Sequence, residues 1–212
     1  MGTPRDIRPA IVLTGFGPFP GVKHNPSADL AEALAGLAAK RFAKKTVVLR
    51  ILPTEWAAAP KLLAALYAEH KPAVVLHFGV SQRASGYCIE TLARNEQSPA
   101  CDAAGQFPHQ PFVTKDGPRK LDTSIPAKAV VRRLTRLNVP ATVSTDAGTY
   151  LCNSILYQSL QLAGRAKGPV KVGFVHIPAA FAAPFDFETA LTGGIEIVRT
   201  GLGLPTPRSR LG

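Results

Sequence analysis

The chain has 212 residues, 46% of them hydrophobic and 18% charged, so it can bury a core without disulfide or metal staples and lacks the hydrophobic deficit of a disordered chain. Lys and Arg number 25 against 14 Asp and Glu, a formal net charge of +11. The basic residues are scattered in small groups, such as Lys44 and Lys45 or Arg132 and Arg133, with no interleaved aromatics. That pattern favours a solvated basic surface over a nucleic-acid platform.

Cys88, Cys101 and Cys152 cannot all pair within one chain, and none sits in a CxxC or a Cys/His cluster of zinc spacing; free thiols in a reducing compartment and no metal are expected. Met1 to Ala10 carries charges rather than an apolar leader, and no run of eighteen apolar residues occurs. The expectation is a cytoplasmic protein that does not enter a membrane.

In chain order, Ala10-Ile-Val-Leu-Thr14, Thr46-Val-Val-Leu-Arg-Ile51 and Ala73-Val-Val-Leu-His-Phe78 are short apolar runs of the buried-strand kind. Ala141-Thr-Val-Ser-Thr145 and Val170-Lys-Val-Gly-Phe-Val-His176 add two more. Between them, helical spacing runs over Ser27 to Ala39, Glu55 to His70, Ala127 to Leu137, Asn153 to Ala163 and Phe187 to Arg199. Strands alternating with helices of this length predict a single α/β/α sandwich with a mainly parallel sheet, since parallel neighbours need crossovers. Thr91 to Thr123, broken by four prolines and two glycines, reads as a long loop or hairpin excursion beside the sheet, of a length that is often functional. The domain is expected to span residues 1–202, with 203–212 a flexible basic tail.

Three residues stand where chemistry gathers. Cys152 follows a strand end and a Gly-containing turn and lies at a helix start, where free backbone N–H groups and the helix dipole favour a thiolate; the bland alternative is a small buried hydrophobe. His176 closes an apolar strand before Ile177-Pro178, at the carboxyl edge where sites collect in α/β sheets. Glu90 falls in the segment leaving the third strand and reads as a loop residue; alone it would be dismissed as solvated.

Four words in the chain, in order, resemble the pyroglutamyl-peptidase I family of cysteine peptidases. They are Thr14-Gly-Phe-Gly-Pro-Phe19 with Asn25-Pro-Ser27; Glu90-Thr-Leu-Ala-Arg-Asn95 with Gly79 standing 11 residues before the glutamate; Ala147-Gly-Thr-Tyr-Leu-Cys-Asn153; and Gly173-Phe-Val-His-Ile-Pro178. The resemblance implies that Cys152 is the nucleophile, His176 its base and acid, and Glu90 the group that orients the imidazole, an arrangement that fits the general need of a thiol for a base with a fixed tautomer. It also implies that Phe16, Phe19 and Tyr150 embrace a flat pyrrolidone ring, with Asn25 beside them, and that the chain assembles as a dimer or tetramer. Apolar loop residues such as Phe107, Phe112, Phe181 and Phe185 are candidates for such an interface, though core burial explains them as well. No metal or organic cofactor is implied, and the chain has neither a P-loop nor a dinucleotide fingerprint.

The chain departs from the family pattern in places. Val80-Ser-Gln-Arg-Ala-Ser-Gly86 replaces a glycine-rich stretch, Ile89 stands for a proline, and Tyr150 stands for a phenylalanine. The arginine that many members carry about ten residues after the glutamate is missing from Gln97-Ser-Pro-Ala-Cys-Asp102, a loop one residue shorter; Arg83 and Arg94 are the candidates to compensate. Two further readings stay open at this point: a divergent hydrolase of the same family acting on another small amide, and a silent binding protein with a basic surface.

Overall fold

The computed structural model describes residues 9–206. Its strands are β1 (Ala10–Phe16), β2 (Thr46–Leu52), β3 (Val74–Val80), β4 (Tyr87–Glu90), β5 (Leu92–Arg94), β6 (Lys120–Asp122), β7 (Ala141–Ser144) and β8 (Lys171–Ile177). Its helices are α1 (Pro26–Arg41), α2 (Ala58–His70), α3 (Ala127–Arg136), α4 (Leu151–Gly164) and α5 (Phe187–Gly201). Six strands form one sheet in the order β2-β1-β3-β8-β4-β7, and β5 pairs with β6 as a separate antiparallel ladder.

Strands β1, β2, β3 and β8 run parallel, whereas β4 is antiparallel to β8 and parallel to β7. Chain length explains the reversal: only residues 81–86 connect β3 to β4, fewer than the dozen a crossover needs, so β4 returns in the opposite direction. Alternation along the strands then divides two cores. Ile11, Leu13, Leu76, Val175 and Ile177 face α1, α3 and α5, packing on Leu34, Leu134 and Ile197. Val12, Phe16, Val75, Val172 and Phe174 face α2 and α4, packing on Leu63, Leu66, Ile155 and Leu156.

Local chemistry sets the helix starts. Asn25 caps α1, its side-chain oxygen accepting from Ser27 N at 3.1 Å, and Asp186 caps α5 by accepting from Thr189 N at 2.8 Å. Helix α5 lies close against its neighbours because it carries two glycines inward: a Cβ on Gly194 would lie 2.6 Å from the Leu34 methyls and one on Gly193 would lie 2.7 Å from the Tyr87 ring. Helix α2 begins three residues later than its periodicity suggests. Ahead of it, the Trp56 N–H is taken by the Asp102 carboxylate at 2.8 Å.

The excursion is organised by its ends and by Asn95, whose side chain donates to Thr114 O at 2.8 Å and accepts from Thr114 N at 2.9 Å. Of the interface candidates, Phe185 is buried edge-on against Tyr87 and belongs to the core, while Phe107 is 58% exposed. Within the expected tail, Gly203 N and Leu204 N bond back to Thr200 O and Arg199 O; residues 207–212 lie outside the described residues.

Candidate active site

Register brings the first two groups together. Cys88 of β4 faces His176 of β8 and Glu90 faces Phe174; residues two apart share a face, so Glu90 and His176 are diagonal neighbours on the side covered by α2 and α4. The His176 Nδ1 lies 2.8 Å from Glu90 Oε1, with Glu90 1% and His176 6% exposed. The expected loop position of Glu90 is thus corrected: it ends a buried strand, and the carboxylate is held under the imidazole instead of in solvent.

The third group comes from α4, whose first turn holds Cys152 after the N-cap Tyr150. Gly79, level with His176 in the neighbouring strand, makes room for it: a Cβ there would lie 3.1 Å from Cys152 Sγ and 2.7 Å from the Phe174 ring. The half-buried thiol of Cys152 lies near enough to His176 to act on its charge, and because Nδ1 is occupied by Glu90, Nε2 is the nitrogen left for sulfur. Burial alone would depress the imidazole. The hydrogen bonds and charges of Cys152 and Glu90 outweigh it and raise His176 from 6.5 to about 10. The arrangement therefore favours an imidazolium beside sulfur, with the N–H groups of the α4 first turn available to an anion.

These groups open into a cleft of about 520 Å³ whose walls include Phe16, Phe19, Asn25, Tyr150, Cys152 and His176. All four residues expected to bind substrate are present in its lining, and Glu90 stands behind His176. Asn25 also holds the wall in shape, donating to Gly17 O at 3.0 Å while capping α1. Phe16 leans on Phe174 with ring centres 6.0 Å apart. Tyr150 stands edge-on to Trp56 at 5.1 Å, and its hydroxyl donates to Cys101 O at 3.0 Å. The Tyr150 hydroxyl thus ties the cleft wall to the 97–102 loop, which Trp56 also holds by donating from its indole to Ala100 O at 2.9 Å. The two arginines have separate places: Arg94 is engaged with Asp146 at 2.6 Å, while Arg83 is exposed and lines the cleft.

Three supporting residues escaped sequence reasoning. Buried Asn153, next to Cys152, accepts from Arg94 N and donates to Arg94 O, each at 2.8 Å, and donates to Glu96 O at 2.9 Å, fastening β5 to α4. Trp56 and Asp102 pin the loop. Asp102 also accepts from Ala104 N at 2.9 Å and Gln106 N at 2.8 Å in its own loop, but the bonds that tie these residues to the rest of the site reach backbone groups 44 to 59 residues away, which no local pattern marks. Among the described residues, no group of three or more His, Cys, Asp or Glu is arranged to hold a metal, and no helix is long and apolar enough to cross a membrane.

Comparison with known proteins agrees with this geometry. The family model described as pyroglutamyl peptidase matches residues 9–185. The pyrrolidone-carboxylate peptidase of Cupriavidus taiwanensis is 35% identical over 172 residues, covering 80% of this chain and 78% of its own; that of Gloeobacter violaceus is 33% identical over 196 residues, covering 89% and 94%. Among solved structures, pyroglutamyl peptidase I of Bacillus amyloliquefaciens superposes with a TM-score of 0.80 at 25% identity, over 92% of this chain and 97% of that one. A variant of pyrrolidone carboxyl peptidase from Pyrococcus furiosus reaches 0.83 at 25%, over 92% and 98%. With a match that spans most of its length and relatives above 30% identity, the chain belongs to the pyroglutamyl peptidase family.

Proposed function

We propose that the chain is a cysteine omega-peptidase that hydrolyses the amide following an N-terminal pyroglutamyl residue, with Cys152 as nucleophile, His176 as acid and base, and Glu90 as the group that orients His176. The observation that carries this reading is the buried chain from Glu90 through His176 to Cys152, ending at a helix start inside an aromatic-walled cleft. In the first half-reaction, the Cys152 thiolate attacks the pyroglutamyl carbonyl carbon. The resulting oxyanion meets the N–H groups of the α4 first turn, and the Nε2 proton of the imidazolium passes to the departing amine as the C–N bond breaks. In the second, neutral His176 takes a proton from water, whose oxygen attacks the thioester; sulfur leaves and the free pyroglutamic acid departs. The ring faces of Phe16, Phe19 and Tyr150 supply flat apolar contact for the lactam.

Purified reduced protein is expected to release the amine from a pyroglutamyl arylamide, and Cys152→Ser to abolish release. Absence of turnover under reducing conditions would move the substrate to another small amide of the same class. Peptide mapping after limiting iodoacetamide is expected to find Cys152 modified ahead of Cys88 and Cys101. We further infer self-association as a dimer or tetramer, for which the exposed Phe107 is a candidate contact, and a cytoplasmic setting, consistent with three free cysteines; light scattering giving a monomer mass would remove the first.

A further inference from the structure

The walls of the cleft divide by the strands they follow. Phe16, Phe19, Asn25 and Thr54 belong to β1, β2 and the connections leaving them, on one side of β3. Residues 81–86 leave β3 on the other side and must pass over the end of β8, because β8 lies between β3 and β4 in the sheet. Ser81 N accordingly donates to Ile177 O at 2.9 Å, one residue beyond His176. The segment then turns: Ala84 N donates to Ser81 O at 3.2 Å and Arg83 N to Ser81 Oγ at 3.3 Å, which fixes the Arg83 backbone while its side chain is exposed at the cleft.

Charge along this lining is unbalanced. Among the described residues, Arg83 and Asp146 are its charged side chains apart from the reactive pair. Asp146 is already bonded to Arg94 at 2.6 Å, whereas Arg83 forms no ion pair. Two guanidinium groups against one carboxylate leave a positive charge over, and it sits at the mouth of the site. In the proposed reaction the lactam lies on the aromatic wall and His176 protonates the departing amine, so the residue after the scissile bond extends away from that wall, toward the segment that crosses β8. We propose that Arg83 is a specificity-determining residue: it receives a carboxylate carried by the leaving residue, so that pyroglutamyl amides with an acidic leaving residue are preferred over neutral ones. The planar fork of the guanidinium suits that partner.

The inference rests on the proposed pyroglutamyl activity and is tested by the ratio of kcat/KM values at low ionic strength for three substrates. Pyroglutamyl-glutamine amide is the neutral reference, pyroglutamyl-glutamate α-amide adds a side-chain carboxylate, and pyroglutamyl-glutamine with a free C-terminus adds an α-carboxylate. One or both of the charged substrates are expected to be cleaved about two- to fivefold better than the reference, the size of a solvated charge pair, and which one shows the gain identifies the carboxylate. The gain is expected to shrink in salt, to vanish in Arg83→Ala and to invert in Arg83→Glu. Equal values for all three in the wild type, or a gain that survives in Arg83→Glu, overturns the proposal. If no pyroglutamyl amide is cleaved, the reading of the activity fails and Cys152 alkylation decides the role of Arg83. The rate with anionic iodoacetate relative to neutral iodoacetamide is then expected to fall about two- to fivefold in Arg83→Glu, and an unchanged ratio overturns the proposal.

Discussion

A carboxylate 2.8 Å from Nδ1 decides which tautomer of His176 faces sulfur. Glu90→Gln keeps the shape but turns the proton arrangement around, so kcat is expected to fall on the order of 10⁴-fold with KM nearly unchanged, as in other nucleophile–histidine–acid triads; steady-state kinetics on a pyroglutamyl arylamide checks this. The raised His176 gives a second expectation. The imidazolium that must protonate the leaving amine survives well above 6.5 and is lost as pH rises through about 10, so turnover should persist at pH 8 and fade toward 10. A descending limb centred near 6.5 would sink the pairing. Cys152 and His176 were visible in sequence as candidates at local boundaries, a helix start and a strand end, but a buried hydrophobe and a structural histidine explained those positions as well until the family words joined them. Glu90 was found by the family words alone, since nothing in Tyr87-Cys-Ile-Glu90 announces a strand until β8 and β7 lie on either side of it.

The elements themselves divide in the same way. Strands β1, β2, β3 and β8 are seven-residue, mostly apolar runs that form the parallel part of the sheet, and their patterns are visible without a partner. Strands β4, β5 and β6, of four, three and three residues, owe their conformation to pairing and to side-chain staples. Asn153 is the clearest staple: its three bonds satisfy backbone groups at Arg94 and Glu96 that would otherwise be stranded between α4 and β5. Asn153→Ala is expected to cost about 2–4 kcal/mol, a drop in Tm of roughly 4–16 °C for a chain of this size, and to reduce turnover because the first turn of α4 loses its anchor. Thermal denaturation of the variant that overlays wild type would show that the staple is dispensable.

At the scale of the whole molecule, the core beneath the site carries a polar line of its own. Fully buried His77 bonds Thr14 Oγ1 at 2.8 Å through Nδ1 and Ser159 Oγ at 2.9 Å through Nε2, and Ser159 Oγ meets Tyr67 OH at 2.7 Å. Burial lowers His77 from 6.5 to about 3. The unfolded chain therefore takes up a proton below 6.5 that the folded chain refuses, and stability is present above 6.5 and lost as pH falls toward 3, by up to about 1.4 kcal/mol per pH unit. His77→Gln, which does not titrate, is expected to show a flatter decline in chemical denaturation across that range than wild type; parallel declines would contradict it. The antiparallel seat of β4 has a kinetic consequence. Its partners are distant in the chain, with Glu90 and His176 separated by 86 positions, and a slip of one residue would turn Glu90 to the opposite face. The β1–β2–β3 unit needs only the first 80 residues, whereas the reactive pair exists only after a long loop has closed in a single alignment. During refolding from denaturant, helical circular dichroism should recover before the capacity of Cys152 to react, so that thiol reactivity reports the last event in assembly.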